Sequence, residues 1–529
     1  MNKEYIKWLE FVSKEDKDIL SNMSEEEISK CFGDDLEFGT AGIRGLMGLG
    51  NSRLNKYTIG KVTLGLSNYL NKNFKDPSVV IGYDTRMNSR EFAFLAASVL
   101  NYNGIKTYIT KDISSTPFVS FATKYLKASG GIVITASHNP KEYNGYKVYG
   151  PNGGQIVSGV DKDILKEINL VDYTDVKEAP ISNNLFNYID ESTIESFNLE
   201  NEKVIINKDL IDKYADKLKI TYTSFHGTGI RTVPFIFEKY GIRYNLVNEQ
   251  CKIDSEFTTA PSPNPEIEEN YGLAKKYAEE LKSDVILATD PDSDRIGVLY
   301  RDNGNYIPLN GNIIGIIFLY YLLNNIKVVK GNYVVRSIVS SNMFDKIADY
   351  YQANVVECLT GCKNVIAVKE KDPDNYLFGF EESLGYVFNI DVNDKNSFSS
   401  IIFMIEILCY LKSQDITLKE YLEEIYSKFG YYSHKTMSIK FDNLKDREVL
   451  MDKIRKDNIF NAQIIDYLES EELKSNTLKI ILNDNEYFMI RPSGTEPKLK
   501  VYFIVNDISL DKSNERLYNL IDKVMKELK

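Results

Sequence analysis

Three stretches of the chain run through the same local pattern, and that repetition limits the fold more than any other feature. Each opens with an apolar run, turns at Ser, Thr or Gly, enters an amphipathic helical stretch and ends in a second apolar run. They are VVIGYDTRMNSREFAFLAASVLNYNGIKTYI from Val79, ITYTSFHGTGIRTVPFIFEKYGIRYNLV from Ile220 and YVVRSIVSSNMFDKIADYYQANVVEC from Tyr333. A strand–helix–strand crossover brings the second strand back parallel to the first. Three separated copies predict three similar mixed-sheet α/β domains rather than a short-period solenoid. A chain of 529 residues has room for them, because one hydrophobic core stops growing well short of that length.

The pattern changes near the C-terminus. YYSHKTMSIKF is followed by a helical stretch and then by TLKIILNDNEYFMIRPSGTEPKLKVYFIV. There apolar and polar residues alternate, with turns at NDNE and PSGTEP, which predicts an antiparallel sheet. The closing NERLYNLIDKVMKELK supplies a helix, so a C-terminal α+β domain is expected. The expected boundaries are 1–200, 201–303, 304–428 and 429–529.

Net charge narrows the partners. A balance of -12 argues against a nucleic-acid binder but leaves small anionic ligands open, since local residues decide a pocket. No run of about 18 apolar residues offers a membrane span. The charged start MNKEYIKWLEFVSKEDKD has no apolar signal region. Five sparse cysteines suit reduced thiols, so a cytoplasmic location is expected. Cys358 and Cys362 in CLTGC lack a second pair to complete a zinc site. Oligomeric state is not readable.

Five stretches carry chemistry. In VITASHNPKEYNGYK an apolar run, Val133 to Ala136, ends at Ser137, His138, Asn139 and Pro140. A hydrolase elbow, G-x-S-x-G, fails because Thr135 and Asn139 hold the glycine positions. Adjacent side chains are expected to diverge, so His138 is not expected to take the Ser137 proton directly. In SDVILATDPDSDRIGVLY a buried strand delivers Asp290, Asp292 and Asp294 in one loop, and three crowded carboxylates call for a hard cation such as Mg²⁺. An EF-hand is excluded by Arg295 and Arg301 at its glycine and glutamate positions. In FMIRPSGTEPKLKVYF, Arg491, Ser493, Gly494 and Thr495 form a phosphate-binding inventory, with Lys498 and Lys500 nearby. GFEESLGY offers Glu381 and Ser383 to sugar hydroxyls. EFGTAGIRGLMG sets Arg44 between glycines that leave a ligand room. Each of the last two is a weak signal alone, and for GFEESLGY a capping or turn role is the default.

Together TASHNP, DPDSDR, FEESLGY and RPSGTEP, in this order and behind EFGTAGIRG, resemble the α-D-phosphohexomutase superfamily, the phosphoglucomutase/phosphomannomutase enzymes. The resemblance implies three α/β domains and an α+β domain around a central cleft. It implies that Ser137 carries a phosphoryl group and joins Asp290, Asp292 and Asp294 in holding Mg²⁺. Arg295, Arg44 and His138 would attend the transfer, and Lys147 would be general acid or base. Thr360, Gly361, Glu381, Ser383 and Lys395 would contact the sugar phosphate. Arg491, Ser493, Gly494 and Thr495 would clamp the phosphate not being transferred. The implied reaction converts glucose 1-phosphate to glucose 6-phosphate, with a sugar 1,6-bisphosphate as intermediate and activator. Mannose or pentose phosphates are the alternative substrates. A non-catalytic sugar-phosphate sensor and a serine hydrolase are alternatives of another class. The chain departs from the family pattern at Ser293, Arg336, Cys362 and Asn396-Ser397.

Overall fold

The computed structural model describes residues 2–39, 42–157, 159–441, 443–493 and 498–528. They form two compact units, one of residues 1–309 and 385–410, the other of 310–384 and 411–529.

The first unit contains two sheets. One comprises β1 (Ile43–Leu46), β2 (Ser78–Tyr83), β3 (Lys106–Ile109), β4 (Gly130–Ile134), β5 (Tyr143–Tyr149) and β6 (Phe186–Tyr188), in the order β1-β5-β4-β2-β3-β6. β2, β3, β4 and β6 are parallel; β5 and β1 add antiparallel. β2 and β3 are joined by the helix Ser89–Tyr102, the first repeat of the sequence. β4 is buried at every position, as a strand covered on both faces must be, which is why it reads as one apolar run. The other sheet comprises β7 (Lys219–Thr223), β8 (Arg243–Leu246), β9 (Val285–Thr289), β10 (Ile296–Asp302) and β11 (Asn305–Leu309), ordered β11-β10-β9-β7-β8. β7 is parallel to β8 and β9, and β10 and β11 extend it antiparallel. Three short helices, Lys3–Phe11, Lys14–Ser21 and Glu25–Cys31, precede β1. They enclose the single tryptophan, Trp8, fully buried among Phe11, Phe32, Tyr57 and Tyr173.

In the second unit β12 (Tyr333–Ser337) lies between β13 (Asn354–Cys358) and β14 (Tyr376–Glu381), all parallel, with the helix Met343–Tyr350 as the crossover. β15 (Gly385–Phe388) opens the segment that returns the chain to the first unit. The last sheet is antiparallel throughout: β16 (Tyr431–Lys440), β17 (Gln463–Asp466), β18 (Leu478–Asn483), β19 (Glu486–Pro492) and β20 (Lys498–Asp507), ordered β16-β20-β19-β18-β17. Its apolar face, with Ile480, Phe488, Ile490, Val501 and Phe503, packs in one core with Leu517 and Val524 of the closing helix Leu510–Glu527. Three α/β sheets and an α+β end are thus the architecture the sequence predicts.

Candidate active site

Ser137 follows β4 in a left-handed turn, φ +52°, and is almost fully buried. Its hydroxyl donates to Asp290 Oδ2 at 2.9 Å. The same turn brings His138 Nδ1 to 3.2 Å from Ser137 Oγ. The two side chains therefore meet rather than diverge, because the positive φ removes the alternation an extended strand would impose. Arg44, on β1, donates to Asn139 Oδ1 of this loop at 3.1 Å.

The loop is held from β2. Asp84 accepts from Thr135 Oγ1 at 2.6 Å, and Thr135 Oγ1 in turn accepts from Ser137 N at 2.8 Å. Arg86, buried and 3.2 Å from Asp84, donates to the carbonyls of Ser137, Asn139 (2.6 Å), Pro140 (2.9 Å) and Tyr143 (3.1 Å). One guanidinium thus satisfies four carbonyls of a tight turn, a geometry its planar fork suits. Asp84 and Arg86 were not among the sequence candidates. The available signal was a polar triplet, Asp-Thr-Arg, directly after an otherwise apolar strand.

β9 delivers the aspartates. Asp290, Asp292 and Asp294 are each at most 2% exposed, and their ligand oxygens lie within 4.8 Å of one another. Asp290 Oδ1 accepts from the backbone of Asp294 and Arg295, both at 3.1 Å, which folds the loop back on its first carboxylate. Burial, with Asp292 and Asp294 beside it, pushes Asp290 well above the usual carboxylate range. Burial opposes ionisation of Asp292 too, but Lys147 and Thr116 overcome it and hold Asp292 far below that range. Lys147 Nζ lies 2.6 Å from Asp292 and 3.6 Å from Asp294; Thr116 Oγ1 donates to Asp292 Oδ2 at 2.6 Å. Arg295 is farther, 3.9 Å from Asp294 and 4.0 Å from Asp290. Asp292 Oδ1 and Asp294 Oδ1 are buried with no hydrogen-bond donor among the described residues. Two orphaned carboxylate oxygens beside Asp290 fit a bound cation, and the trio can bind a metal.

Lys395 lies against this group. Its Nζ lies 3.0 Å from Asp294 and 3.7 Å from Asp394, whose other oxygen accepts from Tyr149 at 2.8 Å and Gln155 at 3.1 Å. Lys147 and Lys395 thereby alternate with Asp292, Asp294 and Asp394 in one buried chain of charge.

The second unit gathers the other candidates. Glu381, at the end of β14, accepts from Gly361 N at 3.0 Å. Thr360 Oγ1 accepts from Arg491 Nη1, joining the loop after β13 to β19. Ser383 follows two residues after Glu381, half-buried. The Ser493 carbonyl accepts from Arg447 at 2.6 Å; Gly494 and Thr495 lie outside the described residues. Arg336 is occupied structurally: it grips both oxygens of Asp345 at 2.6 Å and pairs with Glu357 at 2.7 Å.

Fold and site together define a class: a buried serine bonded to an aspartate trio, in three α/β domains followed by an α+β domain, is the arrangement of the α-D-phosphohexomutases. Family models for phosphoglucomutase/phosphomannomutase match in order, α/β/α domain I over residues 35–174, domain II over 199–304, domain III over 310–429 and the C-terminal domain over 439–512. The chain belongs to the phosphoglucomutase/phosphomannomutase family. It is 36% identical over 521 residues to a phosphoglucomutase of Staphylococcus haemolyticus, covering 93% of this chain and 94% of that one. A phosphoglucomutase of Staphylococcus aureus is 34% identical, over 96% of both chains. The solved structure of parafusin, a Paramecium phosphoglucomutase, shares the fold with TM-score 0.73 at 18% identity, over 94% of this chain and 95% of that one.

Proposed function

We propose that this chain is a Mg²⁺-dependent phosphosugar mutase that interconverts glucose 1-phosphate and glucose 6-phosphate through a phosphorylated Ser137. The observation that carries the reading is the hydrogen bond from Ser137 Oγ to Asp290, inside a carboxylate trio with unsatisfied oxygens. The staphylococcal relatives bear the name phosphoglucomutase. The fold is shared by an Aspergillus fumigatus N-acetylphosphoglucosamine mutase, whose structure was solved with GlcNAc-6P and magnesium (TM-score 0.52, 14% identity, 93% of this chain and 96% of that one).

Asp290, Asp292 and Asp294 would hold the cation, which when bound offsets charge on the phosphoryl oxygens. The phosphoryl group leaves Ser137 Oγ as its new bond to the sugar 6-hydroxyl forms, and the proton that hydroxyl gives up ends on the departing Ser137 Oγ. Lys147 is our candidate to hold or return the proton. His138 and Arg44 line the Ser137 loop, and Arg295 adds positive charge opposite the aspartates. Thr360, Gly361, Glu381 and Ser383 would orient the sugar, and Arg491, Ser493, Gly494 and Thr495 would grip its distal phosphate. The bisphosphate then reverses and returns its other phosphoryl group to Ser137. Positioning and charge stabilisation, rather than bond-making side chains, carry such a reaction.

Ser137→Ala should abolish turnover and remove a phosphate adduct from the intact mass; normal turnover in that variant refutes the mechanism. Comparing kcat/KM on glucose, mannose and ribose 1-phosphates, with trace bisphosphate, tests the substrate. A tenfold preference for ribose, ~1.4 kcal/mol, would overturn glucose.

A further inference from the structure

The apex of the aspartate loop is Ser293, a non-glycine residue at φ +56°. That left-handed conformation costs an L-residue roughly 1–2 kcal/mol, so its surroundings must compensate. Both polar ends of Ser293 are engaged by side chains distant in sequence. Its hydroxyl lies 2.9 Å from Thr228 Oγ1, at the start of the short helix Thr228–Arg231. Its carbonyl accepts from Ser397 Oγ at 2.6 Å and from Ser397 N at 3.4 Å. Ser293, Thr228 and Ser397 are all at most 1% exposed. The preceding carbonyls are held as well: Pro291 accepts from Thr228 N at 2.8 Å, and Asp292 from Thr116 N at 2.9 Å. Three consecutive carbonyls thus take their donors from three separate elements of the first unit. Ser293 and Asn396-Ser397 are also two of the places where the sequence departs from the family pattern, and the fold sets these departures against each other.

We propose that Ser397 and Thr228 are positioning residues for the metal centre, acting through Ser293. Asp292 and Asp294 flank that residue. Their carboxylates converge only while its backbone stays left-handed; a right-handed φ would turn the chain and swing Asp294 away. The Ser397 and Thr228 hydroxyls fix this conformation from its two ends. Lys395, two residues before Ser397, reaches Asp294 from the same helix start, so one element sets both the loop's shape and its charge. This inference rests on reading the trio as a divalent-cation site.

Binding of Mn²⁺ to the full-length protein, followed by electron paramagnetic resonance of the free ion, tests it without turnover. Thr228→Val keeps the side-chain size and removes the hydroxyl; Thr228→Ser keeps the hydroxyl. Thr228→Val should weaken Mn²⁺ binding about three- to tenfold, the effect of one buried hydrogen bond, while Thr228→Ser stays within about twofold. Ser397→Ala should weaken it by a similar factor. In a Ser293→Gly background the left-handed conformation needs no support, so Thr228→Val should change Mn²⁺ affinity less than about twofold. A merely structural role for Thr228 would lower Tm without this dependence on residue 293. Equal Mn²⁺ affinity in folded Thr228→Val, folded Ser397→Ala and the unchanged protein overturns the inference. So does a Thr228→Val effect that persists undiminished in the Ser293→Gly background. If the unchanged protein binds no Mn²⁺, the metal-site reading fails instead. Should Ser397→Ala not fold, the Thr228→Val and Thr228→Ser pair decides alone.

Discussion

Replacing Arg86 with lysine keeps a positive charge for Asp84 and removes the fork that holds the Ser137 loop. Arg86 donates to four carbonyls between residues 137 and 143 and stacks over Phe257, 4.9 Å from the ring centroid. A lysine ammonium is a point donor and cannot span carbonyls from both ends of that turn. Losing two of the four bonds, each about 1.5–3 kcal/mol for a charged donor, removes ~3–6 kcal/mol of local order. Part of this returns through water and relaxation. Asp84 keeps its bonds from Thr135 (2.6 Å), Ser89 (2.7 Å) and the residue-86 backbone (2.9 Å), so the fold should survive. The loss should fall on the placement of Ser137 Oγ, and a misplacement of about 1 Å costs roughly a hundredfold in rate. We therefore expect Arg86→Lys to lower kcat about a hundredfold with KM for glucose 1-phosphate little changed. A coupled assay for glucose 6-phosphate measures this, with near-ultraviolet circular dichroism to establish folding. A folded Arg86→Lys enzyme within about threefold of the original kcat would show that the four carbonyl contacts do not position the nucleophile.

Other outcomes follow from the same geometry. Asp292→Asn should raise the Mg²⁺ concentration for half-maximal activity at least about tenfold and, by stranding buried Lys147, cost ~3 kcal/mol or more in urea unfolding; an unchanged Mg²⁺ titration would count against the trio. Glu382 is pushed up to about 7 by burial and by Glu381, from an ordinary value of 4.5. A carboxyl raised on folding stabilises fully below about pH 4.5, and that contribution is lost as pH rises through 7. Glu382→Gln should therefore flatten the decline in stability between those values; an identical pH profile of Tm in both proteins would refute the assignment.

The sequence made some of this legible because the information was local. Asp290, Asp292 and Asp294 sit on one loop behind a wholly apolar strand, so spacing alone brought them together. Ser137 was legible as the end of an equally apolar strand. Its contact with His138 was not, since it depends on the sign of one backbone φ. Arg86, Thr116, Thr228 and Ser397 escaped because each serves the site through contacts 51 to 176 residues away along the chain, where only tertiary structure sets the partner. The place of Lys395 beside Asp294 is not readable from its motif, because it depends on how the helix Ser397–Gln414 begins. The N-terminal helices were missed because their charged, short sequences look like solvated surface. Tyr5, Trp8 and Leu20 mark the face they bury.

The first unit is interrupted in the chain: it breaks off at residue 309 and resumes at 385. A nascent polypeptide of 309 residues already contains Ser137, the three aspartates and Thr228, but neither Lys395 nor Ser397. At the usual ~5–20 residues per second, the ribosome needs roughly 4–18 s to supply them. During that interval the aspartate loop has Lys147 but neither Lys395 nor the hydroxyl that donates to its apex carbonyl. Maturation of the aspartate site is therefore tied to synthesis of the intervening third sheet, and a nonsense codon in that sheet should leave a product with Ser137 and all three carboxylates but an unlatched loop.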